Sequence, residues 1–214
     1  MATELNFSLH PAQQAIFTDE KRFKVVGAGR RFGKSYLARV KLIVKALEDT
    51  NEFGYNLSDK ACYYIAPTFN QAKDIMWQSL KQMAAPITKK VRENEGIITL
   101  VNDRTIHLKG SDRPESLRGV GLSYVVMDEY AFMKEEVWTS IIRPTLADVR
   151  GGALFIGTPN GKNHFYDLFL NAQDGLDSED WSAWTYKSID NPFLDPTEVL
   201  MATKDMPLEY VRQE

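Results

Sequence analysis

KVVGAGRRFGKS, residues 24–35, is the stretch that decides the fold: a short apolar run breaks into a glycine- and arginine-rich turn that leads straight into a helix. Leu37, Val40, Leu42, Ile43 and Leu47 recur on one broad face of the next segment, which predicts a helix from Gly33 to about Asp49. A strand–turn–helix of this kind points successive backbone N–H groups, and the positive end of the helix, at an anion. In that geometry Ala28, Gly29, Arg30, Arg31, Phe32, Gly33, Lys34, Ser35 and Tyr36 form the binding loop. Lys34 would reach the β- and γ-phosphates and the Ser35 hydroxyl would ligate magnesium, so ATP with Mg2+ is the expected cofactor. The first glycine position of the usual pattern is Ala28, flanked by Gly27 and Gly29. The alternative is an ordinary helix cap.

Other apolar runs extend the pattern outward. ACYYIA (61–66), SYVVM (123–127) and ALFIG (153–157) read as buried strands, with helices predicted over 70–84 and 163–173. Residues 134–149 read as helical with an interruption near Pro144, and 184–189 as one more strand. Residues 97–101 and 104–108 are β-prone and separated by Asn102-Asp103, a pair that tolerates positive φ, so they read as a hairpin inserted at one edge. Buried strands alternating with amphipathic helices predict an α/β fold with a mainly parallel central sheet flanked by helices. Residues 1–175 are expected to form the core, and 176–214 its C-terminal end with a small lid or linker subdomain.

Ligands of such sheets bind beyond the carboxyl ends of the strands, and two further polar motifs sit there. YVVMDE places Asp128 and Glu129 directly after a strand. Asp128 suits a magnesium partner and Glu129 the base that orients an attacking water; the alternative is a pair of solvated loop carboxylates. GTPNGK (157–162) places Thr158 where it would sense the γ-phosphate, although TPNG is also plain turn chemistry. Arg30 and Arg31 lie inside the loop, and Arg118 in an irregular segment ahead of the YVVMDE strand; each is either a transition-state cation or a surface arginine. Gln13 stands ahead of the first strand, either reading the adenine edge or lying on the surface. Lys89, Lys90, Arg92 and Arg104 are candidate contacts to a phosphate backbone, against a solvated face.

A net charge of −3 excludes a global basic field, so any nucleic acid contact would use a local patch. Cys62 is the single cysteine, and no stretch approaches the length of apolar sequence needed to span a membrane; a soluble intracellular protein is expected. His10, His107 and His164 lack ligand-like spacing, and the carboxylates Asp174, Asp177, Glu179 and Asp180 read as solvation of a loop.

HPAQ (10–13), GRRFGKS, YIAPTFNQA, SDRPESLRG, YVVMDEYAFM and IGTPNGKNHFYDLF occur in an order and spacing that resembles the ATPase domain of the large terminase subunit of tailed bacteriophages. The resemblance covers nearly the whole chain. It implies a RecA-like P-loop ATPase of the additional-strand, catalytic-glutamate type. It also implies a homo-oligomeric ring, commonly a pentamer, which assembles on the portal protein, works with the small terminase subunit and moves double-stranded DNA into a procapsid in the host cytoplasm. Gln13 falls on the adenine-contacting glutamine, Arg30 on the phosphate-loop arginine, Lys34 and Ser35 on the Walker lysine and hydroxyl. Asp128 and Glu129 fall on the metal aspartate and catalytic glutamate, Thr158 on the coupling motif, and Arg118 on an arginine that in some members acts across the ring. A nuclease domain follows in family members and is expected to be missing from this chain. A helicase-type ATPase and a nucleotide-gated interaction module with little turnover are the competing readings.

Overall fold

The structure, a computed structural model, describes residues 5–174 and 179–204. The strand β1 (Phe23–Ala28) is buried at every position because it is flanked on both sides. β7 (Gly152–Gly157) and β8 (Trp181–Tyr186) pair with it in parallel register, Val26 facing Ile156 and Trp184. β2 (Ala61–Ala66) and β6 (Leu122–Asp128) are the other fully buried strands, as expected of continuous apolar runs in a parallel sheet. β3 (Thr88–Arg92), β4 (Ile97–Leu100) and β5 (Thr105–Gly110) complete an eight-stranded sheet of order β3-β4-β5-β2-β6-β7-β1-β8. The antiparallel pairings are β3 with β4 and β4 with β5; β5 pairs in parallel with β2.

Helices cover both faces. α1 (Pro11–Thr18) and α2 (Lys34–Leu47) lie on one side, with α3 (Phe69–Ala72) and α4 (Gln78–Ala84) joined by a π-helical stretch, Lys73–Trp77. Leu37, Leu42 and Ile43 of α2 pack there on Val26, Tyr64 and Val126. The opposite core gathers Phe23, Val25, Tyr63 and Met127 under a second π-helical stretch, Val137–Ile142. This stretch continues into α5 (Arg143–Thr145), and α6 (His164–Asp174) covers the same face. α7 (Pro196–Lys204) closes the described chain.

The expected α/β architecture and edge hairpin are present, and Asp103 in the hairpin turn has φ 66°. One expectation needs correction, and one strand was not expected. The last strand is Trp181–Tyr186, not 184–189, because Trp181 and Trp184 both belong to its pairing with β1. β8, beyond residue 175, joins the same sheet as the strands before it. The basic cluster Lys89, Lys90 and Arg92 forms a strand of its own, β3, whose lysines obscure the alternation that would mark it. Asp177 and the residues beyond 204, including the end of the expected lid, lie outside the described residues.

Candidate nucleotide-binding site

The loop between β1 and α2 is shaped by two left-handed residues, Arg31 (φ 60°) and Gly33 (φ 100°). Gly33 is required twice over: its backbone is left-handed, and a Cβ there would overlap the Gln13 amide. α1 supports the loop from below. His10 caps α1, with Gln13 N donating to its Nδ1, while His10 Nε2 donates to Phe32 O at 3.0 Å. Gln13 Nε2 donates to Gly33 O at 3.0 Å, and its Oε1 accepts from His10 N. The Phe32 ring stacks on Tyr186 at 4.9 Å and meets His10 edge-on. From the far side, Ser188 donates to Arg30 O and Asn191 Nδ2 to Arg31 O at 2.7 Å. The carbonyls of Arg30, Arg31, Phe32 and Gly33 are thus held by α1 and by the segment after β8, and the Gly29 N–H donates to Tyr186 O at 3.0 Å.

Above the loop is an open cavity of about 280 Å³, lined by Arg30, Arg31, Gly33, Lys34, Ser35, Tyr36, Glu129 and Thr158. Ala28, Gly29 and Phe32 are buried beneath it. Lys34 is 8% exposed; its Nζ donates to Ala28 O (2.6 Å), Gly29 O (2.9 Å) and Thr158 Oγ1 (3.2 Å). Asp128 ends β6, buried, and accepts a hydrogen bond from the Tyr64 hydroxyl. Burial pushes the Asp128 carboxyl up to about 6 and the Glu129 charge adds to this, while the Tyr64 bond and Lys34 pull the other way. Glu129 has φ 54° and ψ 44°, which turns the chain sharply out of the strand into the 3-10 turn Tyr130–Phe132.

Three segments distant in sequence therefore converge on one cleft, with Asp128 and Tyr64 behind it. Tyr64 escapes sequence reasoning, although a signal exists in the YYIA strand, which pairs with the strand of Asp128. His10, Ser188 and Asn191 escape it because single polar residues in loops carry no pattern.

Other candidates lie elsewhere. Arg118 follows the 3-10 turn Pro114–Leu117, is exposed, and pairs with Glu115 at 3.1 Å. Lys89 and Lys90 are exposed on β3, where Lys89 pairs with Asp103 and Arg92 with Glu95 at 2.9 Å. Arg104 does not belong with them. It is 1% exposed, and its guanidinium donates to Lys45 O, Glu48 O, Lys60 O and Ser123 Oγ, so it cannot meet a nucleic acid backbone. Gln13 is buried rather than on the surface, its Nε2 bonded to Gly33 O and its Oε1 to His10 N. Among the described residues no group of three or more His, Cys, Asp or Glu side chains is placed to hold a metal, and no helix is long and apolar enough to cross a membrane.

The family model described as terminase large subunit, T4likevirus-type, N-terminal, matches residues 25–200. The terminase large subunit of Thermus phage G20c is 31% identical over 186 residues, 78% of this chain and 37% of that relative, so the chain spans a minor part of its length. The Thermus phage P74-26 large terminase ATPase domain superposes with a TM-score of 0.79 at 26% identity, over 98% of this chain and 93% of that one. The large terminase of another thermophilic bacteriophage, solved in complex with ATP-gamma-S, shares the fold, with a TM-score of 0.76 at 16% identity over 95% of this chain and 51% of that one. With the model matching across most of its length, and the phosphate loop and parallel sheet in place, this chain belongs to the terminase large-subunit family and corresponds to its N-terminal part.

Proposed function

We propose that this chain binds and hydrolyses ATP with magnesium, and that the whole protein uses the reaction to drive double-stranded DNA into a procapsid. The observation that carries the reading is the convergence of Lys34, Ser35, Glu129 and Thr158 on one cleft, with the buried Asp128 behind it. The relative solved with ATP-gamma-S supports the nucleotide, and the P74-26 domain, named an ATPase, supports the reaction.

Phosphates entering the cleft meet the N–H groups of the loop and exchange Lys34 away from Ala28 O and Gly29 O. Magnesium fits the residues present. A buried carboxylate lifted to about 6 gains from a neighbouring cation, and one carboxylate with one hydroxyl is the sparse oxygen set that Mg2+ takes alongside phosphate and water. Asp128 and Ser35 would hold it, and when bound it neutralises charge on the phosphate oxygens. Glu129 orients the attacking water and polarises it. Arg30 and Arg31, at the cleft rim, supply charge to the γ-phosphate. Thr158, bonded to Lys34, relays nucleotide state into the 157–162 loop.

Arg118 stands outside the cleft, so we assign it to the site of a neighbouring subunit in a homo-oligomeric ring docked on the portal protein, with the small terminase subunit as a further partner. Exposed cations Lys89 and Lys90, with Arg92, are assigned to the DNA backbone. The test of the chemistry is a pair of substitutions. Lys34→Ala and Glu129→Ala should each lower ATP turnover by on the order of a hundredfold or more, and only Glu129→Ala should retain ATP binding. Normal turnover in Glu129→Ala would overturn the mechanism.

A further inference from the structure

A cavity of about 540 Å³ lies at the opposite end of the sheet from the phosphate loop. Its floor is the amino-terminal ends of β1, β6 and β7, where Lys24, Tyr124 and Gly152 stand, and its roof is the carboxyl-terminal half of α2, which contributes Lys41 and Lys45. The Tyr124 ring lies over Gly152, where a Cβ would come within 3.1 Å of the ring and 2.8 Å of Arg22 O; the missing side chain keeps the floor open.

The polar atoms here are mismatched in one direction. Tyr124 is 3% exposed, and its hydroxyl has no hydrogen-bond partner. Arg22 spends its outer nitrogens on Asp180 and Gly151 O, which leaves Nε buried without an acceptor. Lys24 and Lys41 are 3% and 7% exposed, bonded to the carbonyls of Lys21 and Phe17, and neither is within ion-pair distance of a carboxylate among the described residues. The carboxylates in the lining are Asp19, Glu20, Glu48 and Glu52. Glu48 and Glu52 are engaged by Lys45, and Asp19 accepts from Trp184 Nε1. The carbonyls at the end of α2, which would repel an anion, are covered by Arg104 on Lys45 O and Glu48 O and by Asn102 on Ala46 O.

A surplus of buried donors facing a cavity calls for a ligand that only accepts, because unmet buried donors carry a desolvation cost that such a ligand removes. We propose that this cavity is a second anion site, which takes a small phosphate-bearing molecule on Lys24, Lys41, Arg22 Nε and the Tyr124 hydroxyl. Its volume exceeds that of inorganic phosphate and falls in the range of small-molecule sites, with Phe17 and Leu57 available to an organic moiety. Burial holds Lys24 down to about 8 against the charges of Asp19 and Glu52, and Lys41 to about 7, where Lys24 and Lys45 push the same way and Glu48 and Asp19 oppose; a bound oxyanion favours the charged form of both.

The site is independent of the phosphate loop, so the measurement is made in the Lys34→Ala chain. The lysine side-chain NMR signals of Lys24 and Lys41 are followed while inorganic phosphate, and separately glycerol 3-phosphate, is added. Both signals should move and saturate. Tyr124→Phe and Lys41→Met should each weaken the binding about tenfold, the loss expected of one hydrogen bond to a charged group. Tyr124→Phe should leave the melting temperature of the ligand-free protein unchanged or higher, since the lost hydroxyl has no partner. Tighter binding of the ester identifies a phosphomonoester as the ligand; tighter or equal binding of phosphate identifies the free ion. Unmoved lysine signals with both probes, or full affinity in both variants, would overturn the proposal.

Discussion

At the scale of single residues, burial sets the chemistry. The His107 imidazole stacks on Tyr63 at 5.1 Å and burial holds it down to about 4, with Lys109 and Arg92 pushing the same way. An unfolded histidine takes its proton near 6.5, so in the window between about 6.5 and 4 the unfolded chain is the better proton acceptor. The stability associated with His107 is therefore fully present above that window and is lost as the pH falls through it. Urea midpoints at pH 7.5 and 4.5 should show a smaller acid drop in His107→Gln than in the parent, and equal drops would contradict the assignment. Glu129 illustrates a different constraint. Its left-handed backbone costs a non-glycine residue about 1–2 kcal/mol, so a residue that turned the chain more easily there would lose the carboxylate at the cleft. Arg104 shows why a charge in the sequence is a poor guide to the surface: its five-donor fork serves as a clamp on the end of α2.

At the scale of elements, strands and helices divide the legible from the illegible. β1, β2, β6 and β7 could be read because a buried parallel strand is a mostly apolar run bounded by polar motifs. β3 could not, because an edge strand carrying Lys89, Lys90 and Arg92 hides its period, and such charges are also what keeps an edge from pairing with another chain. The same logic covers the site. Lys34, Asp128 and Glu129 stand in motifs, whereas the Tyr64 hydroxyl on Asp128 and the Gln13 bond to Gly33 O depend on neighbours brought together only by folding. The DNA assignment belongs to β3 as an element. If its cations follow the duplex, Lys90→Ala should weaken DNA binding without regard to sequence and reduce the slope of log affinity against log salt by about 1. An unchanged slope would remove β3 from the contact.

At the scale of the whole molecule, Arg118 stands outside the cleft, so the role proposed for it belongs to an assembly of chains. Arg118→Ala and Glu129→Ala should each be inactive alone, and a mixture of the two should recover ATP turnover, because some junctions then combine an intact Glu129 with an intact Arg118. No recovery on mixing would place Arg118 outside the neighbouring site. Within one chain, the pairing of β8 with β1 governs how the polypeptide tolerates being shortened. The six motifs quoted above are all present by Phe169, yet β1 is flanked by Trp181–Tyr186 and the loop carbonyls are held by Ser188 and Asn191. A gene truncated after Asp174 would inherit every one of those motifs and lose the support on which the loop rests. The heritable unit of this fold is therefore longer than its motifs, and its limit is set by the scaffold that holds them.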